Sequence, residues 1–208
     1  MSRFVYLHGF ASGPSSEKAR FFRERFAELG MGLEIPDLAE GRFEQLTISG
    51  QLAVIERVAQ GDAVSLIGSS MGGYLAALYT ARHPEVEKLV LLAPAFSFLT
   101  RWPEELGEEK MDQWKRSGVL RVFHYSEGRE AALGYQLIED ARKFEDYPEF
   151  PQPTLIFHGK HDTTVPAGNS ITFSERHPDT RLRLMDSDHQ LLNVLDDIWM
   201  ETEKFLFG

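Results

Sequence analysis

Residues 66–85 read LIGSSMGGYLAALYTARHPE. They begin as an apolar, strand-like run, cross a cluster of glycines and serines, and close as an alanine-rich helical pattern. Two serines lie in the turn, but only Ser70 fits the pattern G-x-S-x-G. Gly68 stands two places before it, Gly72 two places after, and Gly73 follows, whereas Ser69 has no such frame. A serine held out on a sharp strand-to-helix turn has a strained backbone, so its close neighbours must lack side chains. The amides at the start of the following helix then favour negative charge beside the hydroxyl. A tight turn of this kind can also serve packing alone. Chemistry at Ser70 therefore requires a base and a carboxylate elsewhere in the chain.

Outward from this turn, short apolar runs bounded by Gly, Pro or Asp recur at Phe4 to Leu7, Leu33 to Pro36, Ala63 to Ile67, Leu89 to Ala93, Thr154 to Phe157 and Leu182 to Met185. Each reads as a strand. Helical patterns separate most of them, as in SEKARFFRERFAELG, where Phe22, Phe26 and Leu29 share a face and Gly30 supplies the stop. Alternating strands and helices imply a mostly parallel sheet of about six strands flanked by helices, in one domain spanning residues 1–208. Four runs are continuously apolar, as buried parallel strands are. LEIP and RLRLM alternate and are expected at the sheet edges. Between the strand ending near Ala93 and the one starting near Thr154 the rhythm breaks. Residues 96–151 read as a helical, cap-like insertion built from pieces such as EEKMDQWKRSG and REAALGYQLIEDARKF. Its acidic stretch, Glu104, Glu105, Glu108 and Glu109, reads as a solvated helix face. Phe98, Trp102 and Trp114 fit either a substrate pocket or simple core.

A serine hydroxyl is a poor nucleophile without a base. FHGKHDTTVP follows the fifth run and offers Asp162, and MDSDHQLL follows the last and offers His189. Loops at the C-terminal ends of parallel strands converge on one edge of the sheet, so Ser70, Asp162 and His189 are expected to meet there. Asp186 and Asp188 are rival partners for the histidine. Asp188 is adjacent to it, however, and Asp186 lies on the same loop, whereas Asp162 ends a separate buried strand. The oxyanion donors expected are the N–H of Met71, directly after the nucleophile, and that of Phe10 in the LHGF turn after the first run. His8 is expected to brace that turn. His158 and His161 read as part of the turn that positions Asp162 rather than as metal ligands. His83, His124 and His177 read as packing or surface residues.

The 208 residues, 42% of them hydrophobic, suffice for a full core. The absence of cysteine excludes a disulfide framework, a thiolate metal site and a cysteine nucleophile. A net charge of -10 repels phosphate backbones, so no nucleic-acid partner is expected. The N-terminal apolar run is too short for a signal sequence, and no stretch has the length of a membrane span. A cytoplasmic protein with no cofactor, no metal and no membrane partner is the expectation.

YLHGFASGPSSEKARFF, LIGSSMGGYLAALYTARHP, LLAPAF, FHGKHDTTVP and SDH together resemble the α/β-hydrolase superfamily, and within it the small bacterial esterases of the YqiA type. The inserted GYQLIEDARKF is similar to the acyl-protein thioesterases of the ABHD group. The resemblance covers nearly the whole chain and implies Ser70 as nucleophile, Asp162 as acid and His189 as base. The chain departs from the superfamily in lacking two leading antiparallel strands, so a reduced sheet is implied, with an acyl pocket supplied mostly by the insertion. The function expected is a serine hydrolase cleaving a small-molecule carboxylic ester or thioester through an acyl-enzyme. Hydrolysis of an amide or carbon–carbon bond, or a binding module on an inactive fold, remain as alternatives.

Overall fold

A computed structural model describes residues 3–208. Five strands, β1 (Arg3–Leu7), β2 (Val64–Ser69), β3 (Val86–Leu92), β6 (Thr154–Gly159) and β7 (Thr180–Met185), form one parallel sheet in the order β1-β2-β3-β6-β7. The registers Leu7 opposite Gly68, Ser69 opposite Leu92 and Leu92 opposite Phe157 bring the strands' C-terminal ends to one edge. β2 and β6 are buried at every residue, as central parallel strands must be. RLRLM in β7 lies at the sheet edge, and its residues alternate in exposure through Arg183.

Two helices, α1 (Glu17–Glu28) and α8 (Leu195–Phe207), cover one face of the sheet. Their Phe22, Phe26, Ile198 and Trp199 pack on Phe4, Tyr6, Val90 and Phe157. The other face is covered by α2 (Ile48–Ala59), α3 (Met71–Thr80) and α7 (Ala167–Arg176), packed on Val5, Leu7, Leu89, Leu91 and Ile156. The helix α3 is buried at every residue, which explains why its sequence is apolar all round.

Two expectations are corrected here. Residues 33–36 do not make a sixth strand. Glu34 forms a single bridge to Val5, with Tyr6 N–H donating to Glu34 O at 2.8 Å, and pairing goes no further between Gly32 and Pro36. The run does lie along the edge of the sheet, but five strands compose it. The insertion is also not purely helical. After α4 (Phe98–Leu106) and α5 (Glu108–Ser117), residues Val119–His124 (β4) and Arg129–Gly134 (β5) form an antiparallel hairpin before the short α6 (Gln136–Ala141). REAALG is rich in helix formers, yet it pairs with the β-branched VLRVFH. The reversal is closed by Gly128 at φ +64, a conformation that favours glycine. Tertiary pairing overrides local propensity.

Candidate active site

The end of β2 runs into α3 through Ser70, which has φ 54 and ψ -117, a conformation that costs an L-residue energy and persists because its surroundings fix it. Ser70 N–H donates to Leu92 O at 2.8 Å, and Ser70 O accepts from Gly73, Tyr74 and Ala95. The framing glycines have a steric cause. A Cβ on Gly68 would stand 2.4 Å from Gly72 O, and one on Gly72 would stand 2.1 Å from Leu7 O and 2.6 Å from His8 O. These neighbours are backbone and cannot swing aside. Gly72→Ala is therefore expected to cost about 4 kcal/mol or more, seen as lost soluble expression or a steep drop in the thermal midpoint. A near-normal midpoint would show that the β1 turn can move aside.

The structure brings Ser70, His189 and Asp162 together. His189 Nε2 lies 3.1 Å from Ser70 Oγ, and His189 Nδ1 lies 2.6 Å from Asp162 Oδ2. The Asp162 side chain is fully buried and accepts four hydrogen bonds. Thr164 and Val165 N–H donate to Oδ1 at 2.8 Å each, and His158 Nε2–H reaches Oδ2 at 3.1 Å beside the bond from His189. Burial opposes the charge on Asp162, but the hydrogen bonds from His158, His189 and Val165 outweigh it and hold the carboxyl well below the usual carboxylate range. His158 Nε2 also donates to Val165 O at 2.8 Å, which fixes its proton there and leaves Nδ1 to accept from Ser170 Oγ at 2.7 Å.

The rival carboxylates are engaged elsewhere. Asp186 pairs with exposed His161 at 2.8 Å, and Asp188 Oδ1 caps its own turn by accepting from Gln190 N–H at 2.9 Å. The start of the histidine loop is held to the turn after β6 by bonds from Lys160 N–H to Met185 O and from His161 N–H to Ser187 O.

Phe10 and Met71 both line the space beside Ser70, and among the described residues neither amide is spent on a hydrogen bond. The β1 turn is held by His8, whose Nδ1–H donates to Gly9 O at 3.0 Å while Nε2 accepts from Leu38 N–H at 3.2 Å. Burial lowers the pKa of His8, in keeping with this neutral form. His83 stacks on Tyr79, His124 meets Phe43 edge-on, and His177 stacks on Phe173, so all three serve packing.

A cavity of about 930 Å³ opens beside Ser70. Phe98 and Trp102 from α4 line it together with Val122 and Phe123 from β4. Trp114 is not in its wall. It is buried behind Trp102, donating Nε1–H to Leu133 O at 3.0 Å. Glu104, Glu105, Glu108 and Glu109 are exposed, and Glu105 pairs with Arg101 at 3.0 Å. Three residues that sequence reasoning did not single out also belong to the site: Ser170, Lys18 and Tyr6. Lys18 Nζ donates to Gln190 O, 172 positions away, and no local pattern announces such a contact. Among the described residues no group of three or more His, Cys, Asp or Glu is placed to hold a metal ion, and no helix is long and apolar enough to cross a membrane.

A buried parallel sheet, a serine at positive φ between strand and helix, and a histidine and carboxylate on the following strand ends define the α/β-hydrolase fold. The chain belongs to the group described as Uncharacterised protein family (UPF0227), whose model matches residues 3–205. Solved structures agree on the fold. A protein of Agrobacterium vitis S4 is 25% identical, with a TM-score of 0.83 over 98% of this chain and 87% of that one. The mouse alpha/beta hydrolase domain-containing protein 10 is 20% identical, with a TM-score of 0.80 over 97% and 88%. Est1E from Butyrivibrio proteoclasticus, solved with ferulic acid bound, is 20% identical, with a TM-score of 0.83 over 99% and 88%.

Proposed function

We propose that this chain is a cofactor-independent serine hydrolase that cleaves small carboxylic esters or thioesters through an acyl-enzyme, acting as one domain over residues 1–208. The observation that carries the reading is the unbroken hydrogen-bonded line from Ser70 through His189 to Asp162. Asp162 accepts from Nδ1–H, so the lone pair of His189 Nε2 faces the Ser70 hydroxyl. As Ser70 Oγ bonds to the carbonyl carbon, Nε2 takes its proton. The oxyanion is held by the Phe10 and Met71 amides, where preorganised donors contribute most. Collapse breaks the carbon–oxygen or carbon–sulfur bond, and the imidazolium returns its proton to the leaving group. Water activated by His189 then releases the acid and restores Ser70. The aromatic wall supplied by α4 and β4 suits an apolar acyl group.

The test is hydrolysis of 4-nitrophenyl butyrate across pH. His189 works as a base only when neutral, and Asp162 is ionised far below the accessible range. Log kcat/KM is therefore expected to fall on the acid side with a slope of one, from the imidazole alone. A slope of two would mean that the carboxyl titrates with the histidine. A rate independent of pH with chemistry limiting would contradict the mechanism.

A further inference from the structure

The cavity beside Ser70 has two unlike walls. One is the apolar surface formed by Phe10, Phe98, Trp102 and Val122, with Phe10 and Trp102 edge-to-face at 5.2 Å. The other comes from β1, the start of α1 and the histidine loop, and contains Tyr6, Ser16, Lys18 and Gln190 with the charged groups of Glu17 and Arg20. This second wall carries donors with hydrogen-bonding capacity to spare. Lys18 Nζ makes one hydrogen bond, to Gln190 O at 2.9 Å, and among the described residues it has no carboxylate within ion-pair distance. Burial pushes the ammonium down to about 8, against the pull of Asp188, Asp162 and exposed Glu17, which lie near enough to be felt but not to pair. The N-cap Ser16 makes no side-chain bond to α1, leaving its first-turn amides uncapped. Tyr6 is 0% exposed, and its hydroxyl, beside Ser69, has no hydrogen-bond partner. Lys18 is half-buried, and a buried hydroxyl without a partner, such as that of Tyr6, calls for an acceptor.

The side of the site is fixed by Gln190. It follows His189, the group that hands the proton to the departing alcohol or thiol, and Lys18 is bonded to its carbonyl. The geometry points to a leaving-group subsite for an anionic oxygen group: a carboxylate or phosphate on the alcohol or thiol half of the substrate, held by Lys18 Nζ, the first-turn amides of α1 and the Tyr6 hydroxyl. A helix N-terminus with an adjoining ammonium is suited to such a group. The inference rests on the Ser70 reading and narrows its substrate class from esters in general to those with an anionic leaving group.

Three matched butyrate esters test it: those of 4-hydroxybenzoate, 4-hydroxyphenyl phosphate and the neutral 4-hydroxybenzamide. The unmodified protein is expected to favour at least one anionic ester over the amide by about tenfold or more in kcat/KM, and the better of the two identifies the anion. Lys18→Gln should bring that ratio close to one, Tyr6→Phe should reduce it, and added salt should shrink it. Equal kcat/KM for all three esters would overturn the subsite. So would a Lys18→Gln protein that loses the same factor on each, because Lys18 would then only be seating the Gln190 loop. A second readout needs no turnover. Ser70→Ala protein, titrated in a calorimeter, should bind 4-(butyryloxy)benzoate or the phosphate ester more tightly than 4-(butyryloxy)benzamide, and the Ser70→Ala/Lys18→Gln double variant should not. If no ester is hydrolysed, the Ser70 reading fails, and the binding comparison still decides the subsite.

Discussion

Ser70→Ala is expected to lower ester hydrolysis by about 10⁶-fold, the scale of loss when a serine nucleophile is removed, while Ser69→Ala keeps most of the activity. The two residues are adjacent and both border the cavity, so proximity to it alone does not separate them. Geometry does. Ser69 is the last residue of β2, in register with Leu92, whereas Ser70 lies at φ 54 with its Oγ 3.1 Å from His189 Nε2. Alanine at position 70 keeps the Cβ and the backbone bonds to Leu92, Gly73 and Ala95, so the fold should be retained. The check is paired kinetics on 4-nitrophenyl butyrate with thermal melts of both variants. Equal losses in the two would remove Ser70 from its assigned role.

Asp162→Asn is expected to lower kcat by on the order of 10⁴ through loss of the correct imidazole tautomer. All four partners of the carboxylate are donors: two amides on Oδ1 and two imidazole N–H groups on Oδ2. An asparagine has one acceptor oxygen, so its NH₂ must meet one of these pairs. With the oxygen kept on the Thr164 and Val165 amides, the NH₂ faces His189 and favours the tautomer whose Nε2 carries a proton. That nitrogen can no longer take one from Ser70. Asp186→Asn and Asp188→Asn should each cost less than about tenfold, because one pairs with surface His161 and the other caps its own turn. Steady-state kinetics of the three variants decide the matter. A near-normal Asp162→Asn enzyme, or a large loss in either of the others, would assign the histidine a different partner.

The parts of this molecule that were legible in the sequence are those dictated by backbone geometry. Gly68 and Gly72 announce the elbow because only hydrogen fits against Gly72 O and Leu7 O. That Ser70, Asp162 and His189 lie close together follows from parallel strands ending on one edge. The hairpin β4–β5 was not legible, because Glu130, Ala131, Ala132 and Leu133 favour a helix and become a strand only when paired with Leu120 to Phe123. Leu33 to Pro36 alternates like an edge strand, yet it sustains only the bridge at Glu34. The second ring on Asp162 was half legible. His158 precedes it by four residues on a buried strand, but the Ser170 hydroxyl that orients this ring comes from α7. Lys18 and Tyr6 reach the site only through tertiary packing, by contacts that no local spacing encodes.

The most direct measurement is covalent labelling of the folded protein with a fluorophosphonate, followed by peptide mass mapping. Nucleophilic activation of Ser70 by His189 predicts one adduct, on the peptide containing Ser70 and assigned to that residue by fragmentation, with no labelling of Ser70→Ala protein. An adduct on Ser69 or on any serine outside the elbow, or a protein left unmodified under conditions that fully label a known serine hydrolase, would contradict it.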